Sequence, residues 1–285
     1  MPAPGGRALN RERRPRGAGP RSAGPRGAEP QDRATPRPHG RIDRVNTALL
    51  LAHGAGGTAQ SNFGPLRPRL SPRRPVFAVD FPGSGGVPRA TGPLRLDDLA
   101  DRLVAAAGDT PRFAVLGYSM GCAVAVRAAL RHPERVTGLV LTAGFARLDE
   151  ESAARIAEWR RLIRGGDRAR LAGFVLSVVL GEPFHRALPA EQRADLRDLV
   201  ALTVPEGADD QVELAQRVDL TAELPRVAVP TLVIGPKHDR LISPASTRAL
   251  ADAIPGARWA ELDSGHAPAL EAPAEWARLI EDFLP

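Results

Sequence analysis

The sequence predicts an α/β fold with a mainly parallel sheet. Short apolar runs, most of them ending at glycine or proline, alternate along the chain with stretches of helical periodicity. Within each run the apolar residues are continuous rather than alternating, which is typical of strands buried on both faces, as parallel strands are. One long segment of helices alone interrupts this alternation and predicts an insertion in the sheet.

The predicted elements follow one another in a regular order. The strand-like runs lie at 47–52, 76–80, 113–116, 136–141, 231–234 and 259–262, and turn residues follow most of them. Helical stretches lie near 96–107, 120–131, 245–253 and 273–284. Because strand and helix alternate, the strands are expected to form one sheet flanked by helices.

Residues 146–224 form the interruption. They are typical of helices only, near 149–164, 167–180, 189–202 and 208–217. A segment of this length is too long for a plain loop. We expect a helical lid over the carboxyl ends of the strands, which is the edge where open α/β sheets bind ligands. The core then consists of residues 45–145 and 225–285.

Residues 1–44 differ from the rest of the chain. They contain 11 arginines and four acidic residues, whereas the remaining chain is nearly neutral. Residues 1–40 hold eight prolines and seven glycines, with Met1 and Leu9 as the only large apolar side chains. We expect a disordered tail, because so few apolar groups do not offset the entropy lost on ordering. No aromatic residues interleave the arginines, so no nucleic-acid partner is predicted.

Cysteine content and hydropathy exclude disulfide-rich and membrane-spanning proteins. The single cysteine, Cys122, excludes an internal disulfide framework and a metal site made of several cysteines. No apolar run approaches the roughly 20 residues that a membrane span needs, and the first residues lack the apolar core of a signal peptide. The sequence predicts a cytoplasmic protein with no membrane partner, and it leaves the oligomeric state open.

The pentapeptide Gly117–Gly121, Gly-Tyr-Ser-Met-Gly, is the strongest catalytic signal. Chance predicts roughly 0.1 G-x-S-x-G matches in a chain of this composition, so the motif alone is only moderately specific. Its position strengthens it, because it follows a predicted strand and opens a predicted helix, as a nucleophile elbow does. Ser119 is therefore the candidate nucleophile, with the amino end of the helix directed at developing negative charge.

A serine nucleophile needs a base and an acid that orients the base. His266 follows the run 259–262, and Asp239 follows the run 231–234. The order Ser119, Asp239, His266 is the order of a triad in this type of sheet. Two neighbours compete for these roles, His238 and Asp263. Asp263 lies only three residues before His266, so we expect it to have a local role in the loop.

A glycine-rich loop, His53–Gly57, follows the first predicted strand. An oxyanion hole needs one N–H from the residue after the nucleophile and one from such a loop. This nominates the amides of Met120 and Ala55, with Gly54 as the second choice in the loop. His53 is expected to be structural.

The same glycines allow another interpretation. Residues 54–59 also fit G-x-G-x-x-A, and Asp80 ends the next strand, which is close to a dinucleotide-binding fingerprint. The pair Gly64-Pro65 would end the required helix early, and this interpretation leaves the three triad candidates unexplained. We therefore predict no cofactor, and no metal.

Together these motifs resemble the α/β-hydrolase superfamily over residues 45–285. The stretch 254–284 is similar to the end of lactonase- and esterase-type members such as 3-oxoadipate enol-lactonase. The resemblance implies an eight-stranded sheet, a lid after the sixth strand and Ser–His–Asp chemistry without a cofactor. The β-hairpin that usually precedes the first loop strand falls in the tail here, so we expect a shortened sheet of six strands.

The predicted function is hydrolysis of an ester, thioester or lactone of a small, largely apolar molecule. Substrate contacts are expected from Gly54, from Phe145 as a pocket wall, and from the lid residues Trp159, Phe174, Val175 and Leu176. The same scaffold also serves cofactor-free oxygenases, carbon–carbon hydrolases and non-catalytic small-molecule receptors. A receptor is expected to have a damaged triad, whereas all three residues are present here.

Overall fold

The computed structural model describes residues 47–284, so the predicted tail of residues 1–44 lies outside the described residues. Six strands form one sheet, and they are β1 (Ala48–Ala52), β2 (Val76–Val79), β3 (Phe113–Tyr118), β4 (Val136–Thr142), β5 (Thr231–Pro236) and β6 (Arg258–Leu262). Every neighbouring pair is parallel, in the order β2-β1-β3-β4-β5-β6. The α/β class and the six-stranded sheet are confirmed for this part of the chain.

The central strands are apolar because both faces of the sheet are covered. Every residue of β1 and β3 is buried. Leu50 packs into one core, while its neighbours Leu49 and Leu51 pack into the other, since successive side chains of a strand point to opposite faces. The edge strand β6 is partly exposed and carries the exposed residues Arg258 and Glu261.

Helices cover the two faces unequally. Leu103 on α3 (Leu96–Ala105), Val124 on α4 (Met120–Arg131) and Leu250 on α10 (Pro244–Ala253) belong to the larger core. The second core contains residues of α1 (Ala59–Phe63), α2 (Arg67–Leu70) and α12 (Pro273–Phe283), and also Ala269. A last short helix, α11 (Pro268–Glu271), leads into α12.

Residues 146–224 lie between β4 and β5. They contain five α-helices, α5 (Glu150–Gly165), α6 (Arg168–Val179), α7 (Glu182–Ala187), α8 (Ala190–Thr203) and α9 (Ala208–Arg217), and the 3-10 turn Leu224–Arg226 follows at the end of this stretch. A hydrogen bond joins the two ends of this segment, because the Leu220 N–H donates to the Ala146 carbonyl at 2.9 Å. Its four predicted helices agree with the structure to within about two residues. The short helix α7 was not predicted, because six residues are too few to show a helical period.

Candidate active site

Ser119 lies in a sharp turn between β3 and α4. Its backbone has φ 53° and ψ −123°, a conformation that L-residues other than glycine rarely adopt. The flanking glycines make the turn possible, since a Cβ on Gly117 would lie 2.6 Å from the Gly121 carbonyl oxygen. A Cβ on Gly121 would lie 2.0 Å from the Ala52 carbonyl oxygen. The G-x-S-x-G pattern therefore reflects close backbone packing around a sharp turn with Ser119 at its apex, as in a nucleophile elbow.

The three predicted triad residues meet at the carboxyl edge of the sheet. Ser119 Oγ lies 3.0 Å from His266 Nε2, and His266 Nδ1 lies 2.7 Å from Asp239 Oδ2. All three side chains are buried. Because Asp239 is an acceptor, Nδ1 carries the ring proton and donates a hydrogen bond to Asp239 Oδ2. Nε2 is then unprotonated and accepts a hydrogen bond from the serine hydroxyl.

Asp239 is held by backbone amides as well. Its Oδ1 accepts hydrogen bonds from the N–H groups of Leu241 and Ile242, each at 2.9 Å. These two bonds orient the carboxylate so that Oδ2 faces the imidazole. The rival Asp263 is placed differently, because it pairs with His238 at 2.8 Å and lies with its side chain 71% exposed. Neither rival contacts His266 by a hydrogen bond among the described residues.

The loop that carries His266 is fixed from both sides by groups that the sequence analysis did not identify. The Tyr118 hydroxyl donates to the His266 carbonyl at 2.5 Å. Glu271 accepts from the N–H groups of Gly265 at 2.8 Å and Ala267 at 3.3 Å, and also from Gly181 between α6 and α7 at 3.1 Å. Burial raises the pKa of Glu271, while these amides act in the opposite direction. The sequence signal that could have identified Glu271 is that it is the only acidic residue in the otherwise apolar stretch 267–273.

Ala55 and Met120, whose amides are predicted to form the oxyanion hole, lie in the same part of the structure as Ser119: Ala55 lines the same cavity, and Met120 follows Ser119 in the chain. Met120 is the first residue of α4, where an N–H has no carbonyl partner inside the helix. In the glycine-rich loop the amides on either side of Ala55 are engaged, Gly54 with Asn62 Oδ1 and Gly56 with Gln211 Oε1, both at 2.9 Å. Ala55 is therefore a better donor than Gly54, the second choice.

His53 supports this loop from below. Its Nδ1 donates to the Gly54 carbonyl at 2.7 Å, and its Nε2 accepts from the Phe81 N–H at 2.9 Å. Complete burial lowers the pKa of His53 to about 4, so the ring is neutral, as acceptance at Nε2 requires. These contacts are those of a structural side chain.

A cavity of about 450 Å³ adjoins the catalytic serine. Its lining includes Gly54, Ala55, Ser119 and His266 from the core, and from residues 146–224 it includes Trp159, Val175, Val179, Leu199, Val200 and Val204. No Asp, Glu, Lys or Arg side chain within residues 47–284 lines it. The cavity wall is thus largely apolar and uncharged.

Three expected substrate contacts are not part of this lining. Phe145 is 2% exposed and packs in the larger core, so it is not a pocket wall. Phe174 also packs against that core, and Leu176 is buried. The helical period explains the difference on α6: Val175 and Val179 are four residues apart and share the cavity face, whereas Phe174 is about 100° around the helix from Val175.

The contacts of Asp80 do not favour the dinucleotide interpretation. Asp80 Oδ1 accepts from the Ala59 N–H at 2.7 Å, at the beginning of the five-residue helix α1. A Cβ on Gly85 would lie 1.8 Å from Asp80 Oδ2, so the carboxylate is packed within the protein. Within residues 47–284 no group of three His, Cys, Asp or Glu side chains is placed to hold a metal ion. None of the helices in this range combines the length and the hydrophobicity that a transmembrane span requires.

Comparison with known proteins identifies the family. Residues 47–273 match the family model of the alpha/beta hydrolase fold. The chain belongs to the α/β-hydrolase family. This α/β hydrolase is 32% identical over 251 residues to pyrrolizixenacetamide deacetylase of Xenorhabdus hominickii, covering 85% of this chain and 92% of the relative.

Two further comparisons concern esterases and lactonases. The α/β hydrolase is 32% identical over 249 residues to a pimeloyl-(acyl-carrier protein) methyl ester esterase of Neisseria meningitidis, covering 83% of this chain and 76% of the relative. The solved structure of the enol-lactonase from Burkholderia xenovorans LB400 matches with a TM-score of 0.73 and 28% identity, covering 86% of this chain and 94% of that chain. The predicted resemblance to esterase- and lactonase-type members is confirmed.

Proposed function

We propose that this α/β hydrolase is a serine hydrolase that cleaves an ester, thioester or lactone through an acyl-enzyme intermediate. One observation carries the proposal: Ser119 Oγ lies at the apex of a strained turn, 3.0 Å from His266 Nε2, with Asp239 on the other ring nitrogen. The relatives named above are a deacetylase, a methyl ester esterase and an enol-lactonase, which supports acyl chemistry.

The mechanism follows from the position of each group. His266 Nε2 takes the proton of Ser119 as the hydroxyl oxygen attacks the acyl carbon, and Asp239 stabilises the imidazolium that forms. The amides of Ala55 and Met120 bind the oxyanion of the tetrahedral intermediate. His266 then passes its proton to the leaving group. Water, deprotonated by His266, releases the acyl group from Ser119 and restores the hydroxyl.

The cavity restricts the substrate to one whose buried part is small, apolar and uncharged. A charged group in the cavity would lose its hydration without gaining a counter-ion, because no charged side chain of residues 47–284 lines the wall. Gly54, Trp159 and Val175 are the predicted substrate contacts that remain, and Val179 joins Val175 on α6. Residues 146–224, which supply much of this wall, act as the lid in this proposal.

The serine itself gives the first test. Ser119→Ala should abolish labelling by a fluorophosphonate probe and the hydrolysis of p-nitrophenyl acetate and butyrate. The free energy of unfolding should change by about 1 kcal/mol or less, because the hydroxyl contributes little to packing. Ser61→Ala, which alters another serine in the lining of the same cavity, is the matched control and should still be labelled.

The outcomes separate this proposal from the alternatives. Labelling that persists in Ser119→Ala would show that another residue is the nucleophile. A wild-type protein that is neither labelled nor active on esters, thioesters, lactones or acetamides would favour a receptor, an oxygenase or a carbon–carbon hydrolase instead. A panel of these four substrate types with the same acyl group then identifies the leaving group.

A further inference from the structure

A buried glutamine connects the helical segment 146–224 to the loop of the oxyanion hole. Gln211 lies on α9 and its side chain is completely buried. Its Oε1 accepts from the Gly56 N–H at 2.9 Å, and its Nε2 donates to Ser84 Oγ at 2.8 Å and to the Pro82 carbonyl at 3.1 Å. All three partners belong to the core, on the loops that follow β1 and β2.

These bonds continue into the glycine-rich loop. Ser84 Oγ donates in turn to the Gly57 carbonyl at 2.7 Å, so Gln211 holds Gly56 directly and Gly57 through one hydroxyl. On the other side of Ala55, the Gly54 N–H is held by Asn62 Oδ1 at 2.9 Å. The Ala55 N–H shares a planar peptide group with the Gly54 carbonyl, which His53 Nδ1 holds at 2.7 Å. Gln211 holds the next peptide group through the Gly56 N–H, so the two sides of Ala55 are fixed by different segments.

The Gly56 N–H has Gln211 as its hydrogen-bond acceptor. Gly56 has φ +67°, and a Cβ there would lie 2.7 Å from Trp159 Cζ2, so the loop passes close beneath α5. A glycine at such a φ has more than one accessible conformation when its hydrogen bonds are removed. Loss of the Gln211 acceptor would thus remove the hydrogen bond of a partly buried N–H and free the loop to turn its amides away from Ser119.

We propose that Gln211 is a positioning residue for the oxyanion hole: by holding Gly56 and Gly57 it aims the Ala55 N–H at the oxyanion formed on Ser119. This inference rests on the proposed function. Gln211 does not line the cavity, so it does not contact the substrate. The segment 146–224 then has a second task besides enclosing the substrate, because one of its side chains determines the geometry of an amide in the core.

A glutamine suits this place because it combines an acceptor and a donor without a charge. Its oxygen meets an N–H, and its nitrogen meets a hydroxyl and a carbonyl. Methionine has nearly the same length and volume but offers neither group, so Gln211→Met removes the hydrogen bonds while keeping most of the packing. Gln216 is an exposed glutamine on the same helix, and Gln216→Ala is the matched control.

The experiment compares steady-state kinetics of wild type, Gln211→Met and Gln216→Ala on p-nitrophenyl butyrate. Gln211→Met should lower kcat by about 10- to 100-fold, since complete loss of one oxyanion donor costs about 10²–10³-fold. KM should stay within about twofold, because ground-state contacts are unchanged. Affinity for a trifluoromethyl ketone inhibitor, whose oxyanion occupies the hole, should fall by the same factor as kcat. Gln216→Ala should match wild type in all three.

The result that overturns the inference is an unchanged kcat, or a raised KM at constant kcat, in folded Gln211→Met. If that variant does not fold, Ser84→Ala takes its place, because it removes the link to Gly57 and retains the bond to Gly56. It should lower kcat about threefold or more at constant KM, and an unchanged kcat overturns the inference. An inactive wild type overturns the proposed function as well, whereas an active wild type with unaffected variants overturns the Gln211 role alone.

Discussion

The backbone of Ser119 is one of two non-glycine positions with positive φ within residues 47–284. A conformation of this kind costs roughly 1–3 kcal/mol and persists where the surrounding structure enforces it. Here the enforcement comes from the Ser119 N–H, which donates to the Thr142 carbonyl at 2.9 Å, and from close packing at Gly117 and Gly121. The strained backbone places Ser119 Oγ within hydrogen-bond distance of His266, so the free energy spent on the strain supports the proposed chemistry.

The acid of the triad can be tested by a pair of conservative changes. Asp239→Asn should lower kcat on a p-nitrophenyl ester by up to about 10⁴-fold, because an amide does not stabilise the imidazolium or the required tautomer. KM should change little, since the carboxylate lies behind the histidine. Asp263→Asn should cost about tenfold or less, acting through loop geometry alone. Near-normal turnover in Asp239→Asn with a crippled Asp263→Asn would reverse the assignment.

His53 predicts a pH dependence of stability. Its folded pKa of about 4 lies below the ordinary value of 6.5, so between these pH values the unfolded chain binds a proton that the folded chain does not. The free energy of unfolding therefore rises with pH across this window: it is full above pH 6.5 and falls as the pH drops towards 4. The shift corresponds to about 3 kcal/mol.

Urea unfolding at pH 4.5, 5.5 and 7 measures this slope. His53→Gln keeps an acceptor for the Phe81 N–H but has no ionisable ring, so the difference in stability between wild type and variant should shrink as the pH falls. His238→Gln, at a more exposed imidazole, is the control and should retain the wild-type slope. A slope that is the same in wild type and His53→Gln would show that the ring is not the responsible group.

At the scale of elements, α6 and α8 form the apolar wall of the cavity. Val175 and Val179 on α6 share this lining with Leu199 and Val200 on α8 and with Val204, the residue just after α8. The exposed part of α8 includes Leu202, which is 85% exposed and outside the lining. Two valines four residues apart are enough to present one apolar stripe, because that spacing is about one helical turn.

This wall predicts a preference for longer acyl chains up to the capacity of the cavity. Each methylene buried against it is worth about 0.8 kcal/mol, so kcat/KM should rise about three- to fourfold per carbon from the acetyl to the butyryl ester. Val200→Trp should fill part of the cavity and move the preference towards acetyl. Leu202→Trp, on the same helix but outside the lining, is the control and should keep the wild-type profile.

At the scale of the whole molecule, residues 47–284 contain the six strands, the candidate triad and the cavity. The composition of residues 1–44 predicts a basic tail remote from the chemistry, and its state lies outside the described residues. The cytoplasmic location inferred from the single cysteine likewise stays a prediction.

Deletion of residues 1–40 should therefore leave kcat, KM and the melting temperature nearly unchanged. It should also abolish any weak binding of the chain to nucleic acid. Such binding would weaken with added salt, because it would come from arginine side chains pairing with phosphate groups. Thermal unfolding and ester hydrolysis of the full chain and the shortened chain, side by side, check this. A large fall in melting temperature would mean that these residues contribute to the folded core.

Much of the fold could be predicted because its signals are local. The strands and the longer helices were predicted to within about two residues, since hydrophobic periodicity and turn residues act over a few positions. The short helices α1, α2, α7 and α11 were missed, because four to six residues carry no periodicity. The triad was predictable in position, since parallel strands bring their carboxyl ends, and the residues just beyond them, to one edge.

The sequence by itself determined the strand–helix alternation, the turn at Ser119 and the edge of the sheet at which Asp239 and His266 lie. Only the tertiary structure decided which face of a helix lines the cavity, as Val179 does and Phe174 does not. It also decided the long-range partners: Gln211 meets Gly56 across 155 residues of chain. The physical reason is that a backbone N–H donates to whichever acceptor the packing of distant segments brings to it, and no local pattern encodes that choice.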